Sequence, residues 1–237
     1  MKMHGKQLQD ALRERRQGMG SCHAARLHRA VSWVRCAEKY AETDEDVGFI
    51  SMWIAFNALY SVDDNQFDHS FRGDFAKYAE KLVEIDQNEA IYDCLWSNYS
   101  GLVRSLINNK FVYGPYWASQ REGNDHWERS FENSKKRAMH ALANSDVPQL
   151  LTIVMERLYV LRNQLVHGGV TWQSSVNRAQ VIDGKRVLFK LVPIFIELMF
   201  DESDEWGDVF YPVIGSDDEL RRNQSNSALR ASASGGK

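Results

Sequence analysis

The sequence predicts an all-α helical bundle, and three observations carry that expectation. Between loop signals the apolar residues recur at spacings of three and four rather than two. Only four prolines occur in 237 residues, at positions 115, 148, 193 and 212. One segment, FISMWIAFNALY at 49–60, is apolar around most of its circumference, as a helix at the centre of a bundle must be. With 43% hydrophobic residues and 11% aromatics, the chain can bury a sizeable core, so one large domain is expected.

The first 18 residues are polar and rich in arginine, and 1–19 are read as a basic segment preceding the domain. Residues 24–40 carry apolar positions suited to an amphipathic helix. Thr43 or Asp44 can cap the central helix by accepting a bond from its free amides. SVDDNQFDHSFRGD at 61–74 reads as a loop, followed by helices over 75–85 and about 88–107. Residues 110–127 combine Gly, Pro and five aromatics, and are expected to form a long loop.

A charged helix over 127–143 follows, and Asp146 with Pro148 marks the next start, since proline suits a first turn whose amides lack partners. Leu151, Val154, Leu158, Leu161 and Leu165 then form one apolar stripe, and Gly168–Gly169 ends that helix. A last helix spans about 174–199, with a break or bend expected near Asp183–Gly184 and Pro193. The domain is placed at 20–215. Residues 201–219 hold eight acids and no bases, and the tail 216–237 has the composition of disorder.

The net charge of −3 gives no global signature of a nucleic-acid binder, so any polyanion site must be local. Cys22, Cys36 and Cys94 lie far apart without metal-ligand spacing, which fits reduced thiols and argues against structural zinc. No stretch approaches the roughly 20 apolar residues of a membrane span, and MKMHGKQLQD lacks a signal-peptide core. A cytoplasmic protein without membrane partners or cofactors is expected. The sequons at Asn98 and Asn223 are then chance occurrences.

Polar residues cluster where the 151–165 stripe ends. Arg162 flanks the stripe, while Asn163 and His167 share a neighbouring face at i, i+4. Arginine offers phosphate a planar fork of donors, and an imidazole titrates near neutrality and can give or take a proton. Residues 156–190 contain six Lys/Arg against two acids, a local basic excess. Arg162 and His167 are about 140° apart around an ideal helix, so one chain converges them poorly. A two-fold axis through this helix end would gather two arginines and two histidines in one cleft.

The segment Arg162–Asn163–Gln164–Leu165–Val166–His167 resembles the HEPN superfamily, marked by an arginine, four to six residues and a histidine, commonly with a polar residue after the arginine. The wider text RLYVLRNQLVHGGVTW, with FISMWIAFNALY, is similar to Apea-like bacterial HEPN proteins over roughly residues 25–213. That resemblance implies a dimeric helical bundle cleaving RNA without metal, with Arg162, Asn163 and His167 as site residues. It implies roles such as toxin or phage-defence effector, with RNA as substrate and an antitoxin or regulatory protein as further partner. The alternative is a non-catalytic module of the same fold that binds RNA, nucleotide or a partner protein.

Other features admit plainer readings. Tyr113, Tyr116 and Trp117 could stack unpaired bases, but packing against the bundle is the simpler role. Trp53 reads as core, and Asn57 on its face as buried and hydrogen-bonded. Gly18-x-Gly20 follows no strand, so it does not support a dinucleotide fingerprint.

Overall fold

In the computed structural model, residues 4–60, 71–200, 206, 207, 209 and 211 are described, and they contain ten α-helices and no strand. The fold class is all-α, as the periodicity requires. The segment 61–70, most of the acidic run 201–219 and the tail 216–237 lie outside the described residues.

The first helix, α1 (Gly5–Arg15), was not visible in the periodicity, because Leu8, Ala11 and Leu12 alone carry its buried stripe. They pack it on α2 (Ser21–Tyr40). The Gly5 amide donates to Glu38 Oε1 at 2.9 Å, and a Cβ at position 5 would lie 2.7 Å from Glu38 Oε2 and 2.8 Å from Arg35 Cγ, so both side chains would have to shift.

Asp44 caps α3 (Glu45–Tyr60), its Oδ1 accepting from the Val47 amide at 3.0 Å. Phe49, Met52, Trp53, Phe56 and Leu59 are all buried, so α3 is the central helix the sequence implies. Asn57 is half-buried rather than buried: it lines a shallow cavity with Arg29, Trp33 and Tyr211. The polar clamp at this end is Arg26, which donates to Leu59 O (3.2 Å), Trp206 O (2.8 Å) and Gly207 O (3.1 Å). It satisfies a carbonyl that the last turn of α3 leaves open.

The next helix, α4 (Phe71–Ile85), starts four residues before the expected boundary. Asp86 then caps α5 (Ala90–Asn98) through the amides of Ala90 and Ile91. The helix expected over 88–107 is divided by a π-turn at Tyr99–Val103, before α6 (Arg104–Asn108). Ser100 and Gly101 sit in that turn, the kind of pair at which helices kink.

The expected loop at 110–127 is corrected by the structure. Lys110–Val112 is a 3₁₀ turn capped by Asn109, and α7 (Gly114–Glu122) follows. Pro115 stands in its first turn and Gly123 closes it with φ +69°. Both residues punctuate a short helix rather than break one.

The remaining helices are α8 (Trp127–Ala143), α9 (Val147–Val166) and α10 (Arg178–Met199). Asp146 caps α9 through the Gln149 amide, with Pro148 in the first turn. No break occurs at Gly184 or Pro193. Gly184 instead permits close packing: a Cβ there would lie 3.0 Å from Leu158 and Leu161 and 3.1 Å from Phe49. It is where α10 meets α9 and α3. No helix among the described residues is long and apolar enough to cross a membrane.

Candidate functional site

The C-terminus of α9 is built by backbone geometry before any side chain acts. The Gly169 amide bonds back to Gln164 O (2.8 Å) and the Gly168 amide to Leu165 O (3.3 Å), which is the Schellman arrangement. Gly168 takes φ +68°, open to glycine at little steric cost. His167 is the cap residue between helix and loop, and it is exposed.

Arg162 and Asn163 are half-buried, and Arg162 Nη1 donates to Asn163 Oδ1 at 2.8 Å. That bond holds the guanidinium near the helix end. Asn163 therefore positions the arginine, and among the described residues no hydrogen bond joins it to His167. Arg162 Nε is enclosed and makes no hydrogen bond.

Gln164, inside the same motif, is a residue that sequence reasoning passed over. Its Nε2 donates to Phe111 O, and its Oε1 accepts from Asn177 Nδ2 at 2.8 Å. One side chain thus ties the motif turn to the aromatic segment and to the start of α10. Trp117 Nε1 donates to the same Phe111 carbonyl at 2.8 Å.

The three aromatics proposed for base stacking separate. Tyr113 is 8% exposed, with the Arg157 guanidinium 4.4 Å above its ring and Phe131 beside it at 5.1 Å. It offers no open face to a base, so that expectation is corrected for Tyr113. Trp117 is exposed and Tyr116 half-buried, and they pack edge-on at 5.1 Å. Lys110 Nζ lies over Phe111 and Tyr116 (5.4 Å each) and Trp127 (5.7 Å).

The local basic excess is smaller in space than in sequence. Arg157 is buried among rings, Arg178 pairs with Asp46 at 3.0 Å, and Lys185 pairs with Glu45 at 2.7 Å. Arg162, Arg186 and Lys190 remain of the six, and Arg186 is exposed.

The loop after His167 is anchored to the start of α3. Trp172 Nε1 donates to Asp44 Oδ2 and the Gln173 amide to Asp46 Oδ2, both at 2.7 Å. Burial alone would raise the Asp44 carboxyl. The Val47 amide, the Trp172 indole, the Asp46 amide and the Arg178 charge outweigh it and hold it below its ordinary range. These contacts span more than 120 residues of sequence, and the only local signal for them was the run of acids at the α3 cap.

The arrangement offers a guanidinium for an anion and an exposed imidazole for proton transfer at one helix end. Among the described residues there is no group of three or more His, Cys, Asp or Glu placed to hold a metal ion. No family model matches the chain, and neither the curated proteins nor the solved structures give a significant match.

Proposed function

We propose that the chain is a metal-independent endoribonuclease of the HEPN type, acting as a homodimer through Arg162, Asn163 and His167. The observation that carries this reading is the Arg162–Asn163 bond in the last turn of α9, one turn from an exposed His167. An arginine held in place before substrate arrives loses less freedom when it grips a phosphate.

In this reading a ribose 2′-hydroxyl attacks the adjacent phosphorus. His167 of one copy takes the hydroxyl proton, and His167 of a second copy returns a proton to the leaving 5′-oxygen. The products are a 2′,3′-cyclic phosphate and a free 5′-hydroxyl. Arg162 stabilises the additional negative charge on the phosphoryl oxygens in the transition state. A toxin or defence role belongs to the same reading.

One observation favours a second reading, a non-catalytic RNA-binding module. A general base is usually oriented by a third group. Among the described residues no hydrogen bond orients the His167 ring.

Incubating RNA with the full chain in EDTA, beside His167→Ala and Arg162→Ala, separates the two. Proton transfer by a positioned side chain contributes about 10²–10⁴-fold, and removing one donor to transition-state charge costs about 10²–10³-fold, so each variant should lose at least ~100-fold in cleavage. Wild-type cleavage that neither substitution changes sinks the catalytic reading. Binding lost in Arg162→Ala with no wild-type cleavage establishes the module.

A further inference from the structure

Behind the motif turn lies a groove of about 390 Å³ that none of the chemistry above uses. Its volume is in the range of small-ligand sites. Trp33 from α2 and Trp172 from the loop after α9 wall it, and Ile50, Ile54 and Leu165 line it. Leu165 belongs to the same last turn of α9 as Asn163 and Val166.

Two independent features say what the groove would hold. The first is Trp172, which is 70% exposed yet held at its polar edge by the 2.7 Å bond to Asp44. An indole fixed at its N–H while its ring stays open is a stacking platform. The second is Asp46, which borders the groove and is only 6% exposed. Its Oδ2 accepts from the Gln173 amide and from Arg178, while its Oδ1 is enclosed without any hydrogen-bond partner. Buried carboxylate oxygens are normally satisfied, and the residue that carries this one lines the groove.

Aromatic walls, aliphatic lining and one unused carboxylate acceptor together suit a planar heterocycle carrying an amino group. Adenine, cytosine and guanine present exocyclic amines. Uracil flanks its one ring N–H with carbonyl oxygens, which a carboxylate repels. We propose that this groove is a base-recognition subsite, in which an amine-bearing nucleobase stacks on Trp172 and donates to Asp46 Oδ1. The ligand class rests on the RNA reading of the α9 terminus, but the residues are different ones.

The test is calorimetric titration of the full chain with AMP, CMP, GMP, UMP and purine riboside 5′-monophosphate, with the tryptophan indole N–H signals followed by NMR. AMP should bind and shift the Trp33 and Trp172 signals. Purine riboside monophosphate, which lacks only the amine, and UMP should bind at least about tenfold more weakly, because the Asp46 oxygen is then left unpaired. Trp172→Ala, an exposed position, should weaken AMP by about tenfold.

Equal affinity for AMP and its des-amino analogue overturns the proposal, as does AMP binding that leaves both indoles unmoved. Indole signals that shift with protein concentration alone, together with dimer formation that AMP does not oppose, would make a second copy the occupant and also overturn it. RNA cleavage separates the two levels. AMP discrimination without any cleavage keeps the subsite and removes the nuclease, whereas cleavage with no AMP discrimination does the reverse.

Discussion

Replacing Arg157 with methionine tests how the aromatic segment is joined to α9. Arg157 is 2% exposed, its guanidinium lies 4.4 Å from the Tyr113 ring centroid and 5.5 Å from that of Phe131, and Nη2 donates to Ser134 Oγ at 3.0 Å. Burial pulls the guanidinium down to about 10, against opposing contributions from Tyr113 and Glu156. A base whose folded-state value is lowered costs stability at every pH below that value, and the cost is relieved as pH rises through it. At about 1.4 kcal/mol per tenfold change in proton affinity, the charge costs on the order of 3 kcal/mol at neutral pH.

Set against this are two ring faces at about 0.5–2 kcal/mol each and one charged hydrogen bond at about 1.5–3 kcal/mol. At the low end of those ranges the contributions cancel. Arg157→Met keeps the length and drops the charge, so it should stay within about 1.5 kcal/mol of wild type. Arg157→Ala leaves a cavity and should cost about 3–5 kcal/mol. Urea denaturation at one protein concentration, read from midpoints at unchanged m, measures both. As pH rises from about 10 toward the ordinary guanidinium range, the wild type should gain on the methionine variant. A methionine variant as unstable as the alanine one would refute the reasoning, because the charge itself would then hold the segment.

Two further outcomes follow from the packing and the caps. Gly184→Ala places a methyl 3.0–3.1 Å from Leu158, Leu161 and Phe49, all fully buried, so overpacking of about 1–3 kcal/mol should outweigh the roughly 1 kcal/mol gained in helix propensity. The midpoint of thermal unfolding should fall by a few degrees, and a rise would show that the side chains make room. Asp44→Ala removes the Val47 cap and the Trp172 bond together, and the cap alone is worth about 1 kcal/mol. Because its folded-state carboxyl is held low, Asp44 contributes stability above the ordinary carboxylate range and loses it as pH falls through the lowered value. Urea midpoints of wild type and variant should therefore converge in acid, and a gap that persists there would exclude the carboxylate as its source.

What could be read from the sequence was whatever is local along the chain. The α8 limits, the Asp146–Pro148 start of α9 and its Gly168–Gly169 end were all legible, because a cap and its helix are neighbours in sequence. So was the place of Arg162, Asn163 and His167 at one helix end, although the structure joins only Arg162 to Asn163. The same local rules misread α7, since Pro115 and Gly123 punctuate a short helix with the residues that also make loops. They missed α1 because three apolar residues suffice when a neighbouring helix supplies the rest of the interface.

The tertiary part of the site follows a different rule. Nothing near Arg157 says that rings from positions 113 and 131 will enclose it, and the basic excess counted along 156–190 was discounted by partners from elsewhere in the chain. Asp46 and Trp172 are 126 residues apart, yet they share one groove and one anchoring network beside the motif turn. A motif therefore locates half of a site at best. Its electrostatics and its neighbouring cavity are set by residues whose sequence positions carry no sign of it, which is why Trp172 and Asp46, rather than further residues of the motif, are where the proposed base discrimination is to be tested.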